Sequence, residues 1–205
     1  DAMITKDSVW NVDPKHVDIY VKVDEGKKYY IRNLKWVGNT VYSTDYLSRL
    51  LDMKKGDVYN QTYLNKRLSQ DEDAVGNAYW NNGYLFYNLQ PTEVNIVGDS
   101  IDLEMRITEG QQAHINRVKI NGNDRLYENV VRRELRTKPG DLFSKEALQR
   151  SARELASMGH FDPEAINPVP EPNYEDGTVD INYNLKQKSN DQVELSLGWG
   201  QTGVI

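Results

Sequence analysis

A repeat with a spacing of 84 residues is the feature that most constrains how this chain can fold. Gly38-Asn39 and Gly122-Asn123 lie 84 positions apart, and Gly56-Asp57 and Gly140-Asp141 keep the same spacing. In both copies an alternating segment precedes the Gly-Asn pair and a helical apolar pattern follows it. A fixed period of this length indicates a repeated folding unit. The 205 residues therefore hold two complete small units, with fragments at either end.

Composition excludes several classes of function. The net charge of −6 argues against a general nucleic-acid binder, which would carry a clustered basic face. Because the chain has no cysteine, it can form neither disulfides nor thiolate metal sites. No apolar run is long enough for a transmembrane helix. The sequence begins without a signal peptide and stops abruptly, which we interpret as an excised piece.

The residue pattern of each complete unit predicts the order strand, helix, helix, strand, strand. We assign the first unit to residues 27–110 and the second to residues 111–188. Ser43 and Ser144 are predicted to cap helices, since serine at an N-cap accepts a hydrogen bond from a free backbone N–H. In the first unit the second helix is predicted to be about two turns longer than its counterpart.

That longer helix is predicted from an apolar pattern, and it carries an acidic cluster. The pattern consists of Leu64, Leu68, Val75 and Tyr79. The cluster Asp71-Glu72-Asp73 could suggest a divalent cation, but adjacent residues on a helix point in different directions. We therefore interpret the cluster as a solvated acidic face.

The closing strand of the unit occurs three times, each time with Asp in second place. The copies span residues 17–23, 101–107 and 179–185, with Asp18, Asp102 and Asp180 in that place. These carboxylates are predicted to face solvent or a turn. The first copy makes residues 1–26 the C-terminal remnant of a preceding unit. Residues 189–205 alternate apolar and polar side chains, a pattern compatible with a linker strand or with a membrane-barrel strand.

These features together resemble polypeptide-transport-associated (POTRA) domains, most closely the last POTRA of BamA-type outer-membrane β-barrel assembly factors. The resemblance rests on the segments at 118–124, 131–135, 140–141, 158–161 and 179–181. It implies an α+β fold of tandem POTRA domains, each a three-stranded mixed sheet covered by two helices. It also implies that residues 189–205 are a linker and the first, truncated strand of the membrane barrel.

The resemblance implies a non-enzymatic scaffold on the periplasmic side of the bacterial outer membrane. Its implied partners are unfolded outer-membrane proteins, a BamD-like helical-repeat lipoprotein and the chain's own C-terminal β-barrel. The POTRA region of a two-partner-secretion or translocation-and-assembly transporter is the alternative. No catalytic, metal or cofactor site is predicted, because His16, His114 and His160 fall at non-equivalent places in the repeat and no phosphate loop or catalytic triad occurs.

Binding through exposed backbone is the mechanism that the architecture favours. An edge strand can accept an extended peptide as an additional strand through main-chain hydrogen bonds. In the first unit the predicted edge consists of Glu93, Val94, Asn95, Ile96 and Val97. The corresponding segment of the second unit carries Pro168, Pro170 and Pro172, which would remove N–H donors from one edge if they lie in a strand. A loop is the alternative for these prolines.

Glu134 is the remaining candidate for a residue that binds a partner. Its counterpart 84 residues earlier is Leu50, so a carboxylate stands where the first unit has an apolar residue. The family resemblance implies that Glu134, in the segment Arg132-Arg133-Glu134-Leu135, docks the BamD-like lipoprotein, and Arg132 and Arg133 are predicted to belong to the same partner-binding site. An intramolecular pair with Arg132, Arg133 or another nearby arginine is the alternative.

Overall fold

The computed structural model describes residues 3–24, 26–123 and 127–188, and the predicted barrel strand at 189–205 lies outside them. The chain divides into two compact units between Gln112 and Ala113. Each unit contains one mixed three-stranded sheet and its helices. In the described part of the chain, no helix is long and apolar enough to cross a membrane.

The first compact unit, residues 1–112, is wider than the predicted first repeat, because it also contains an N-terminal hairpin. The complete sheet-and-helix module follows this hairpin. The strands of the compact unit are β1 (Met3–Asp13), β2 (His16–Asp24), β3 (Tyr30–Val37), β4 (Asn88–Val97) and β5 (Ser100–Thr108). Its helices are α1 (Thr44–Leu51), α2 (Gln61–Asn65) and α3 (Val75–Trp80), with a π-helical turn (Lys66–Gln70) between the last two. The Ser43 side chain accepts a hydrogen bond from the N–H of Tyr46, so the predicted cap is confirmed.

The second unit repeats this order with shorter helical connections. Its strands are β6 (His114–Asn121), β7 (Asn167–Asn173) and β8 (Thr178–Asn184). Its helices are α4 (Glu128–Glu134) and α5 (Lys145–Ser157), followed by a 3₁₀ turn (Pro163–Ala165). Ser144 caps α5 by accepting from the N–H of Ala147, as predicted.

In both units the last strand lies in the centre of the sheet. The strand orders are β3-β5-β4 and β6-β8-β7. The first strands, β3 and β6, pair in parallel with the central strands, β5 and β8. The second strands, β4 and β7, pair with these central strands antiparallel. The predicted α+β fold with mixed three-stranded sheets is therefore confirmed, and β4 and β7 are edge strands.

The repeated glycines mark places where a side chain cannot fit or the backbone must turn. A Cβ added at Gly38 would lie 2.1 Å from the carbonyl oxygen of Ile107, and one at Gly122 would lie 2.0 Å from that of Leu185. Gly56 has a φ of 93° and donates its N–H to the carbonyl of Ile31. Gly140 has a φ of 91° and donates in the same way to Ile115. The sequence repeat thus encodes a close strand contact and a loop that covers the start of the first strand.

Each unit buries its own core between the sheet and the helices. The first core includes Ile31, Leu47, Leu51, Leu64, Val75, Tyr79, Ile101, Leu103 and Met105. The second includes Ile115, Val118, Val131, Leu155, Phe161, Val179, Ile181 and Tyr183. Burial of alternate positions along β5 and β8 fixes which face of each central strand contacts the helices.

The continuous second helix predicted for the first unit is wrong. The helix breaks into α2, the π-helical turn and α3, and Asp71 adopts an extended conformation between them. Arg67 holds this break, because its guanidinium donates to the carbonyl of Leu50 and to the carboxylates of Asp71 and Asp73. The acidic cluster therefore lies in the break and not on a helix. Glu72 and Asp73 are exposed, in line with the predicted solvation, although Asp71 and Asp73 also pair with Arg67.

Asp102 lies on the face of β5 opposite the buried residues, in line with the predicted solvent-facing position, but it is partly covered because it pairs with neighbouring side chains. Its carboxylate accepts hydrogen bonds from the Arg32 Nε at 2.8 Å and the Asn33 amide at 2.9 Å, and it also pairs with the second nitrogen of the Arg32 guanidinium. Asp180 accepts from the Asn116 amide at 2.9 Å. Both carboxylates lie beside an irregularity in the pairing of the first strand, so they support the same feature in each unit.

The hairpin β1-β2 exposes an apolar face that the complete unit buries. Val17, Ile19, Val21 and Val23 are between 46% and 69% exposed. Their counterparts 84 residues later are Ile101, Leu103, Met105 and Ile107, which are at most 7% exposed. The hairpin thus has the side-chain pattern of β4-β5 without the helices that cover it there.

Candidate functional site

The predicted edge segment forms the C-terminal half of β4. Val94, Ile96 and Val97 are between 51% and 55% exposed, which is unusual for apolar residues in a strand. β4 itself is longer than predicted, because it starts at Asn88 and continues through Pro91. The structure therefore places the segment on an edge and leaves its three apolar side chains about half exposed.

A β-bulge divides this edge. Glu93 pairs with Leu103 and Asn95 pairs with Asp102, which leaves Val94 without an opposite residue. Bulges at sheet edges increase the local twist and interrupt regular pairing. The five predicted residues therefore do not form one straight edge, and an added strand would pair regularly only on one side of Val94.

The hairpin register determines which main-chain groups of β4 point outward. Val97 pairs with Ser100 across the two-residue turn Gly98-Asp99, so the main-chain groups of Val97 face β5. Backbone direction alternates along a strand, so the N–H and C=O of Ile96 point away from β5. Ile96 therefore offers both a donor and an acceptor at the open edge.

A groove of about 650 Å³ lies beside this edge on the side of the helices. It is lined by Lys28, Val58, Tyr59, Glu93 and Ile96, among others. The Tyr59 hydroxyl donates to the Glu93 carboxylate at 2.9 Å. Burial, followed by the neighbouring Glu93 carboxylate, raises the pKa of Tyr59 to about 12. The groove thus combines a mostly polar lining, including two lysines, with a few apolar side chains and the hydroxyl–carboxylate pair.

The corresponding edge of the second unit lacks donors. Pro168, Pro170 and Pro172 lie in β7, paired in regular register with Tyr183, Ile181 and Val179, so the loop alternative for these prolines is wrong. Since proline has no N–H, the ladder to β8 must use the donors of the intervening residues. The three proline nitrogens therefore all face the open side of the sheet.

The arginine-glutamate cluster lies at the C-terminal end of α4. Glu134 is the last residue of the helix, and its side chain is 30% exposed. Its carboxylate lies 3.4 Å from the Nε of Arg133, whose side chain is 77% exposed. Arg132 instead pairs with Glu128 and donates to the carbonyl of Val118 at 3.2 and 3.3 Å. The three residues are thus adjacent in sequence but have different environments.

Sequence reasoning missed Glu109, the most completely hydrogen-bonded carboxylate of the first unit. It is 8% exposed and accepts from the backbone N–H groups of Thr40 and Val41, from the Thr40 hydroxyl and from the Tyr79 hydroxyl at 2.9 Å. Although burial opposes its ionisation, these donors lower the pKa of Glu109. A Glu-Gly pair at the end of a strand gave no sign of burial, because such positions are usually exposed.

No cluster of three or more potential metal ligands occurs in residues 3–24, 26–123 and 127–188. Of the three histidines that the sequence analysis considered, His16 contacts Asp13 in the β1-β2 turn, with its Nδ1 2.7 Å from a carboxylate oxygen. The candidate sites of this chain are accordingly sheet edges, a groove and a helix end.

Comparison with known proteins identifies the repeated unit. Residues 29–110 and 113–188 each match the family described as "POTRA: Surface antigen variable number repeat". Because these two matches cover more than half of the chain, it belongs to the POTRA family.

Similar proteins agree with the resemblance to BamA-type factors. The outer membrane protein assembly factor BamA of Neisseria meningitidis is 30% identical over 95% of this chain and 24% of its own length. The BamA of Nitratidesulfovibrio vulgaris is 24% identical over 92% of this chain and 24% of its own length. The crystal structure of BamA POTRA3-5 from Haemophilus influenzae has a TM-score of 0.68 and 21% identity, covering 90% of this chain and 72% of that one.

These comparisons confirm that the chain resembles the POTRA region of BamA-type factors. The chain spans about a quarter of the length of the curated relatives it matches, between 22% and 24% for the first three. The family therefore accounts for the repeated fold of the two units.

Proposed function

We propose that this chain is a periplasmic interaction scaffold of an outer-membrane protein assembly machine. It receives unfolded β-barrel proteins as transiently added strands, and it docks an accessory lipoprotein near the membrane barrel. Relatives that cover nearly the whole chain carry the name of assembly factors, which favours this function over that of a secretion or translocation transporter.

The difference between the edges of β4 and β7 is the observation that carries the proposal. β4 presents outward main-chain groups beside exposed apolar side chains, whereas β7 presents three prolines. Main-chain pairing is tolerant of sequence, so it suits clients that share only the tendency to form strands. The first unit therefore binds clients, and the second unit is protected from them.

The β-bulge at Val94 limits how a client pairs. Regular pairing beyond the bulge is available only near Ile96, so each client strand makes few main-chain hydrogen bonds. Each such bond contributes about 1 kcal/mol net. Weak pairing of this kind allows clients to exchange and move on toward the barrel.

Docking of a BamD-like helical-repeat lipoprotein is proposed at the end of α4. Glu134 is partly exposed, and its contact with Arg133 is long for an ion pair, so the carboxylate can exchange this partner for a cation of another protein. Arg133 is exposed and can pair with an acidic group of the same partner. This part of the proposal rests on the family resemblance together with this exposure.

The remaining parts of the chain fit the same scheme. The β1-β2 hairpin is proposed to be the end of a preceding POTRA domain, since its apolar face matches the buried face of β5. Residues 189–205 lie outside the described residues and remain a proposed linker and first barrel strand. The proposed domain boundaries are therefore 1–26, 27–110, 111–188 and 189–205.

Amide hydrogen exchange tests the strand-addition site. The ¹⁵N-labelled chain is mixed with a soluble peptide of about ten residues, the length of a barrel strand, with alternating apolar and polar side chains. We expect slower exchange at Ile96 and unchanged exchange at Val169 and Glu171 of β7. Unchanged exchange throughout 93–97 would refute strand addition at this edge.

The variant Ile96→Pro is designed to remove peptide binding at β4, and Ile96→Val is its matched control. Because Ile96→Pro removes the outward donor and leaves the ladder to β5 in place, it should abolish peptide protection at β4. Ile96→Val keeps the donor and should bind like the unmodified chain. Equal binding by both variants would show that the peptide binds elsewhere.

Charge reversal tests the docking site. Glu134→Lys should weaken binding to the lipoprotein at least about tenfold, the effect of losing one charged contact worth 1.4 kcal/mol. Thermal stability should change little, because Glu134 is partly exposed and weakly paired. Glu146→Lys on exposed α5 gives the same change of charge as a control, and equal affinities of the two variants would contradict the assignment.

A further inference from the structure

We infer that β3 of the first unit is a second edge that accepts an extended polypeptide strand, and that Arg132 closes the corresponding edge of the second unit. This inference rests on the proposed function, because it assumes that the chain binds clients by strand addition. It adds a second binding edge to that function. It also assigns Arg132 to protecting a sheet edge and not to docking a partner.

The start of the outer edge is covered in both units by the loop that contains the repeated Gly-Asp pair. In the first unit Ile31 donates to the carbonyl of Asp57 at 2.9 Å and accepts from Gly56 at 2.8 Å. In the second unit Ile115 donates to Asp141 at 2.8 Å and accepts from Gly140 at 2.7 Å. These bonds also show that the main-chain groups of both isoleucines point away from the central strand.

Beyond this loop, the residues of β6 whose main-chain N–H and C=O groups point away from β8 are Val118 and Ile120. The carbonyl of Asn121 accepts from the N–H of Leu185 at 2.9 Å, so Asn121 faces the side of β8. Alternation along the strand then directs the main-chain groups of Val118 and Ile120 outward. The extra residue in the pairing between Ile115 and Arg117 accounts for the change of phase from Ile115 to Val118.

Arg132 occupies this edge from the helix layer. Two nitrogens of its guanidinium donate to the Val118 carbonyl at 3.2 and 3.3 Å, and one also pairs with Glu128. A guanidinium has five donors and no acceptor, so it can satisfy a carbonyl but cannot extend a β-ladder. An incoming strand would have to displace Arg132 from both Val118 and Glu128 before it could pair.

The first unit has no equivalent of this contact. Ser48 stands 84 residues before Arg132, and its hydroxyl accepts from the indole N–H of Trp36 at 2.9 Å. In the described part of the chain, no hydrogen bond reaches the outward main-chain groups of Leu34 and Trp36, the counterparts of Val118 and Ile120. The outward N–H and C=O groups of these two residues on β3 therefore have no protein partner in that part of the chain, and an extended backbone can pair with both residues at once.

The exposed side chains of β3 agree with this assignment. Lys35 is exposed and Val37 is 38% exposed, so an added strand would meet one cationic and one apolar neighbour on the outer face. A segment with alternating polar and apolar residues fits these neighbours. The second unit therefore has both edges protected, β7 by prolines and β6 by Arg132, while the first unit has neither of these two devices.

The test follows backbone amides in the unmodified chain and in Arg132→Ser, which places in the second unit the residue that the first unit has. The probe is the same soluble alternating peptide. In the unmodified chain we expect exchange at Leu34 and Trp36 to slow by about tenfold, the effect of one typical hydrogen bond, with no change at Val118 and Ile120. In Arg132→Ser, Val118 and Ile120 should also become protected.

Arg150→Ser is the control, because it removes the same charge from an exposed position on α5. Protection of Val118 in this variant would overturn the role of Arg132, since charge alone would then suffice. If Arg132→Ser lowers stability too far for the measurement, the response of Leu34 and Trp36 in the unmodified chain still decides whether β3 is an edge. Protection at Ile96 without protection at Leu34 would overturn the inference and leave the proposed function intact.

Discussion

The first unit leaves outward main-chain groups on β4, whereas the second unit lines β7 with three prolines, although both strands occupy the same place in the same sheet order. An unpaired strand edge promotes association, and proteins that do not use an edge usually protect it. The same fold therefore carries two different edges in this chain. Under the proposed function, the first unit keeps its edge for binding, and the second keeps its sheet closed.

A second contrast concerns the residue that follows the central strand. Glu109 of the first unit is buried and charged, while the equivalent position of the second unit holds Gln187. Glu109 ties the end of β5 to the loop at Thr40 and to Tyr79 of α3. The first unit thus fixes this junction with an ionised group that the second unit lacks, and the two should respond differently to acid.

The largest effect is expected where the two units are alike. Gly38→Ala and Gly122→Ala should each destabilise the unit concerned by about 3 kcal/mol, because a left-handed backbone costs about 1–2 kcal/mol and the new Cβ also displaces a strand. Amide exchange at the core of each unit measures the loss. Gly56→Ala and Gly140→Ala meet no atom within 4 Å and should cost only about 1 kcal/mol. Equal losses at all four sites would contradict the close-contact explanation.

Glu109→Gln should destabilise the first unit by about 2 kcal/mol at neutral pH, because the amide cannot accept all the hydrogen bonds that the carboxylate accepts. Since folding lowers the pKa of Glu109, its contribution is complete above the ordinary value of 4.5 and is lost as the pH falls through the folded pKa. Denaturant unfolding at several pH values measures this. The loss of stability in acid should shrink in the variant, and an unchanged pH profile would exclude Glu109 as its source.

A smaller effect is expected from the repeated aspartates. Asp102→Asn should lower the melting temperature of the first unit more than Asp180→Asn lowers that of the second. The reason is that Asp102 pairs with the Arg32 guanidinium, whereas Lys119 lies 3.6 Å from Asp180. The two melting temperatures can be followed separately by amide exchange on heating. The opposite order would show that the bulge of the first strand needs its carboxylate more in the second unit.

The smallest effect is expected beside the proposed binding edge. Tyr59→Phe removes the hydroxyl that donates to Glu93 and should cost about 0.5 kcal/mol, because the carboxylate remains accessible to water. Peptide protection at Ile96 should persist, since the groove walls stay in place. Denaturant titration measures the stability, and loss of peptide binding in Tyr59→Phe would show that the hydroxyl takes part directly in recognition.

The sequence by itself determined the repeat, the order of elements and the helix caps, whereas the mixed pairing of the sheet came from the family resemblance. The first three follow from local rules: glycine at positive φ, serine at helix starts and alternating or helical apolar patterns act within a few residues. The repeat strengthened each prediction, because the same landmark appeared twice at the same spacing. The alternation of the three prolines also predicted their common direction once they were placed in a strand.

Only the tertiary structure decided how side chains distant in sequence combine. The break after α2 depends on Arg67 reaching Leu50, the burial of Glu109 depends on Thr40 and Tyr79, and the cover on β6 depends on Arg132 reaching Val118. Each contact joins residues at least 14 positions apart, on elements that only packing brings together. A one-dimensional pattern records which residues are polar, but the donor that satisfies a buried carboxylate or a free carbonyl is chosen by the fold.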